Sequence, residues 1–150
     1  MTDFSGLLNE IVALGCAVDA EEEDRAVITL PDGASSFVLL RAEEWMQVAT
    51  ILVEPGELRG ARGRSRLGEF FLELHGRYLG CRFGYDEDQA LAIVTDVYPG
   101  HAKAKHIVAV MAHLEYVATV VRPLIMSVLE TDAIPQDSAV DAAFAGPSDA

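Results

Sequence analysis

Basic residues are scarce in this chain. Eleven lysines and arginines face 24 acids, giving a formal charge of −13 over 150 residues. Such a surface repels the phosphates of nucleic acids and anionic lipids, so neither direct nucleic-acid binding nor a membrane is expected as partner. It suits solubility, or a basic protein partner. Cysteine is almost absent. Cys16 and Cys81 lie far apart with no C-x-x-C pattern, and in a reducing compartment they read as buried thiols behaving as small hydrophobes. Aromatics are few, at 7%, yet 51% of residues are hydrophobic. That share excludes wholesale disorder and fits one domain with one core. No uninterrupted apolar run reaches the roughly 20 residues of a bilayer span. The start lacks the basic residues of a signal peptide, so a cytoplasmic location is the expectation.

The marks of catalysis are missing too. Four histidines occur, at positions 75, 101, 106 and 113. None forms an H-x-x-x-H pair, which would set two ligands one helical turn apart. No G-x-S-x-G elbow, glycine-rich dinucleotide fingerprint or phosphate loop is present. Paired carboxylates fall only in acidic loops, where water denies them the desolvation a general acid needs. A protein without enzymatic activity, metal or cofactor is expected. The competing expectation is a small-molecule or catalytic site between a sheet and the long helix, near His75, His106 and His113.

What the chain has is a long apolar helix over residues 103–130. Ile107, Val110, Met111, Leu114, Val117, Val121, Leu124, Ile125 and Val128 recur at spacings of three and four, the helical period. A second apolar set, including Val108, Ala112 and Val120, leaves little polar face. A helix apolar on two sides predicts burial on two sides, by its own domain and by a second copy. Met111, Leu114, Val117 and Val121 are the predicted homodimer contacts. Pro123 predicts a kink or a break.

The earlier chain reads as an α+β domain over residues 1–130. A helix spans 3–15, with Asp3 or Ser5 as cap and Gly15 as its left-handed stop. Glu21 to Asp24 read as a solvated acidic loop. Strands follow at 26–30, 36–41 and 45–53, the first two joined by the turn Pro31-Asp32-Gly33. Short connections make this an antiparallel meander. A loop then gathers Arg59, Arg62, Arg64 and Arg66, a candidate anion contact beside a helix start. The next helix spans 65–78 with Ser65 as N-cap and an apolar stripe ending at Tyr78. A hairpin at 81–85 and 90–97 encloses Asp86-Glu87-Asp88-Gln89, which lacks the glycine and distal glutamate of a calcium loop. Residues 131–150 are acidic and poor in large apolar side chains, so a mostly disordered tail is expected, with Phe144 alone able to dock.

The order α-βββ-α-ββ-α, with a five-stranded antiparallel sheet, resembles the type III secretion chaperone-like fold. Within it the chain resembles the YbjN-like family. The resemblance is carried by Leu7 to Gly15, by Gly68 to Gly80 leading into Cys81-Arg82-Phe83-Gly84-Tyr85-Asp86-Glu87-Asp88, and by the long last helix. It implies a small acidic homodimer that binds another polypeptide, chaperone-like or regulatory, through apolar grooves or a strand edge. Phe4, Leu8, Phe37, Leu39, Trp45 and Ile51 are the implied partner-binding residues. The alternative is an acidic accessory partner of a basic DNA-binding or stress-response protein.

Overall fold

The computed structural model describes residues 3–33, 35–77, 79–98, 100 and 102–146. Tyr78 and His101, both singled out above, lie outside the described residues, as does the very end of the tail. The elements run α1 (Phe4–Ala13), β1 (Ala17–Glu22), β2 (Arg25–Thr29), β3 (Ser36–Arg41), β4 (Met46–Val53), α2 (Pro55–Leu58), a 3₁₀ turn (Arg64–Arg66), α3 (Leu67–His75), β5 (Arg82–Tyr85), β6 (Leu91–Val97), α4 (Ala104–Thr131) and α5 (Asp137–Ala145).

Among the described residues the sheet has six strands in the order β1-β2-β3-β4-β6-β5, every neighbouring pair antiparallel. The expected meander is β2-β3-β4, and the expected hairpin is β5-β6. The additional strand is β1. Its end coincides with the expected acidic loop, and only Val18 among its six side chains is even half-buried. A strand that buries one residue on an outer edge carries no alternating apolar signal. Its backbone pairs with β2 all the same, from Ala17 opposite Thr29 to Glu22 opposite Arg25.

One face of the sheet is the core. Ala26, Ile28, Phe37, Leu39, Met46, Val48 and Ile93 alternate along four strands and are buried. They share one apolar cluster with α1, α3 and α4. Helix α1 contributes Phe4, Leu7, Leu8 and Ile11, and Gly15 leaves it at φ +97°, the left-handed turn expected there. Asp3 occupies the N-cap position without making a side-chain cap bond. Ser65 is not a cap; it lies inside the 3₁₀ turn that precedes α3.

Helix α4 runs unbroken through Pro123 for 28 residues, so the expected break is absent. By length and composition alone it is apolar enough to cross a membrane. Here Ile107, Met111, Leu114, Val117, Val121, Ile125 and Val128, all on one stripe, are buried on the domain's own sheet. The loop after α2 is fastened to the far end of α4. Gly63 N donates to Leu129 O at 2.9 Å, and Arg66 Nε sits 3.4 Å from Asp132 Oδ1. A guanidinium there also faces the negative end of the helix dipole.

The tail departs from expectation. Residues 137–145 fold into α5, which lies back along α4. Val140 is buried and Phe144 packs against the core. Tyr116 Oη donates to Phe144 O at 3.0 Å, and Arg77 pairs with Asp141. Phe144 therefore docks, but as part of a helix.

Candidate partner-binding face

The six residues implied as partner contacts do not form one surface. Phe4, Leu8, Phe37 and Leu39 are 4%, 8%, 0% and 0% exposed and belong to the core. They are corrected to packing residues. The reason is parity: Phe37 and Leu39 point to the helices, so their odd-numbered positions cannot also face a partner. Trp45 and Ile51 are exposed, at 45% and 40%. They stand about 20 Å apart, Trp45 just before β4 and Ile51 near its far end. The four predicted dimer contacts are likewise corrected. Met111, Leu114, Val117 and Val121 are at most 1% exposed within a single chain. The sheet already keeps that stripe dry, so it calls for no second copy.

What the fold leaves open is the other face of the sheet. Val27, Val38, Ala49 and Val94 stand directly opposite one another across β2, β3, β4 and β6. Asp19 and Arg82 close this row at its two ends. Leu40 and Gln47 form the next row, and Ile51 pairs with Ala92 on the other side. Most of these side chains are half-buried by their neighbours alone. Among the described residues, the helices with buried side chains contribute them to the opposite face.

Polar groups frame this face. Arg82 makes a two-pronged contact to Asp96, at 2.7 and 3.1 Å, and Gln47 donates to the same carboxylate at 3.4 Å. The hydrogen bond from Arg82 is the chief cause that holds the Asp96 carboxyl below its ordinary pKa. Arg25 Nε binds Glu21 at 3.0 Å. A cleft of about 330 Å³ opens across this face, from Arg25, Leu40 and Gln47 over Val38, Ala49 and Ile51 to Tyr85 and the β5–β6 turn. That turn is tied by Asp86 Oδ1, which accepts from the amides of Asp88 and Ala90 at 2.9 and 2.8 Å.

His75 Nε2 accepts from Phe83 N at 3.3 Å and His113 Nε2 lies 2.6 Å from Leu79 O, so both staple the α3–β5 loop to its surroundings. The space between sheet and α4, where the alternative expectation put a ligand, is filled by the apolar core. Among the described residues no group of histidine, cysteine and carboxylate side chains could hold a metal ion. Burial raises the Cys16 thiol and pushes Cys81 up to about 11. The four loop arginines are all exposed. Arg66 is engaged by Glu69 and Asp132.

The fold has counterparts among solved structures. One is the ExsC–ExsE complex, where a chain superposes with TM-score 0.58 at 17% identity, over 88% of this chain and 100% of that one. Another is the heterodimeric ExoU–SpcU complex of the Pseudomonas aeruginosa type III secretion system, with TM-score 0.55 at 15% identity, over 87% and 98%. A third is the Yersinia pestis type III secretion chaperone SycH bound to a fragment of YscM2, with TM-score 0.55 at 16% identity, over 79% and 98%. The chain has the fold of type III secretion chaperones. No family model matches the sequence, and no curated protein matches it. The chaperone-like fold resemblance drawn from the order of elements is thus met, with six strands in place of five.

The bare face was missed in the sequence. Alternation in β3 separates Phe37 and Leu39 from Ser36, Val38 and Leu40, but does not say which set is covered. The signal available was size: the bulkier set lies inside.

Proposed function

We propose that this protein is a non-catalytic, chaperone-like module that binds another polypeptide across the bare face of its sheet. Within the chaperone-like fold, its helix–glycine–strand–acidic-turn segment resembles the YbjN-like family, and the proposed place of work is the cytoplasm. One observation carries the proposal. The row Val27, Val38, Ala49 and Val94 is apolar, continuous over four strands and, among the described residues, covered by no helix. An apolar row left without a covering element on an otherwise strongly charged domain fits an interaction site. Support comes from the neighbours in fold, one of which is the HopA1–SchA chaperone–effector complex, similar at TM-score 0.58 and 14% identity.

The test pairs capture with surface variants. Polypeptides retained from native lysate by the full chain are identified, purified and titrated back by calorimetry. Val38→Lys and Ile51→Lys place charges on the bare face without touching the core. Loss of binding in both, with thermal stability kept, supports the reading. Undiminished binding moves the partner elsewhere and ends it.

A further inference from the structure

The cleft across the bare face is acidic along one side. Its floor is Val38, Ala49 and Ile51, and its wall is Tyr85 with the turn residues Glu87 and Asp88. Glu87 and Asp88 are exposed and make no ion pair among the described residues. Asp86 adds a third carboxylate. The base on the opposite rim, Arg25, is already engaged by Glu21. Tyr85 is 48% exposed and offers an aromatic face beside these acids. Carboxylates above an apolar floor, next to an aromatic ring, attract a cation carried on an apolar stem.

The size of the face argues for a segment of chain over a second copy. Six strands spaced about 4.8 Å apart and about 20 Å long give roughly 500 Å², whereas a standard stable interface buries about 800 Å² on each partner. Two copies would also bring like-charged rims together, on a chain of net charge −13. Resting on the function proposed above, we infer that the cleft receives a lysine or arginine side chain of the bound polypeptide, with the neighbouring apolar residues of that segment lying on Val38 and Ile51. The bound segment is therefore extended, with apolar and basic residues interleaved.

Three labelled synthetic nonapeptides decide it: alternating leucine and lysine, alternating leucine and serine, and alternating leucine and glutamate. Each is titrated into the full chain by fluorescence anisotropy at low and high salt, against the wild type and the double variant Glu87→Gln, Asp88→Asn. The leucine–lysine peptide is expected to bind at least tenfold more tightly than the leucine–serine one at low salt. The double variant should remove most of that gap and leave the leucine–serine affinity unchanged. Equal binding of the lysine and serine peptides, with both lost in Ile51→Lys, overturns the cation site while leaving the face as a polypeptide site. Binding unaffected by Ile51→Lys, or by none of the peptides, overturns both. A sedimentation profile in which the free chain pairs and Ile51→Lys separates it gives the face to a second copy and likewise overturns the inference.

Discussion

A β-carbon added to Gly63 would lie 1.7 Å from the carbonyl oxygen of Val128. The loop after α2 meets the last turn of α4 backbone to backbone, and its amide binds Leu129 O in the same contact. No side chain can turn aside there, because the obstacle is main chain. Gly63→Ala should therefore push the loop off the helix and destabilise the domain by about 3 kcal/mol. Thermal unfolding measures it; Gly68→Ala, where an added carbon meets nothing within 4 Å, is the matched control.

The α4 stripe belongs to the monomer's own core. Leu114→Ala and Val117→Ala should each cost about 2–4 kcal/mol through the lost transfer energy and the cavity left behind. The loss should be the same at low and high protein concentration. A midpoint that falls on dilution would instead mark these residues as subunit contacts.

Ending the chain at Asp132 removes α5 and uncovers the surface under Val140 and Phe144. Those two side chains are worth about 2–4 kcal/mol of burial together. The shortened chain should unfold at lower denaturant concentration, bind an apolar dye that the full chain excludes, and release Arg77 from Asp141.

Asp96 gives stability an acid limit. Its folded pKa is depressed, so its contribution is present above the unfolded value near 4 and is lost as pH falls through the lower folded value. The side chain is 40% exposed, which screens the pair with Arg82 and keeps the contribution below about 1 kcal/mol. Asp96→Asn should lower stability slightly at neutral pH and flatten the decline below about pH 4. Urea unfolding across that range reads both.

With its thiol pushed up to about 11, Cys81 should resist alkylation at neutral pH. At pH 8 about one thiol in a thousand is ionised, so its reaction with iodoacetamide should run roughly a hundredfold slower than that of a free cysteine. Mass spectrometry of the timed reaction checks it.

Reading the sequence found the elements that bury a periodic face. The α4 stripe, the β3 strand and the Gly15 stop are plain because their side chains repeat in step with their geometry. It missed β1, which has one half-buried residue, and α5, whose alanines carry almost no periodic contrast around Val140 and Phe144. It also misjudged what covers what. Met111 and Val117 look the same in sequence whether a sheet or a twin lies over them. Phe37 and Val38 differ by one position, and only the paired strands reveal which of the two meets water.

The outermost strand has a consequence of its own. β1 leaves one row of amides and carbonyls unpaired, and an open row of that kind invites other strands to dock and polymerise. Asp19, Glu21 and Glu22 stand along it, all exposed. Two molecules meeting lip to lip would set these negative charges against one another. The acidity that gives no hint of a reaction thus opposes strand-to-strand docking along a margin that the fold leaves bare.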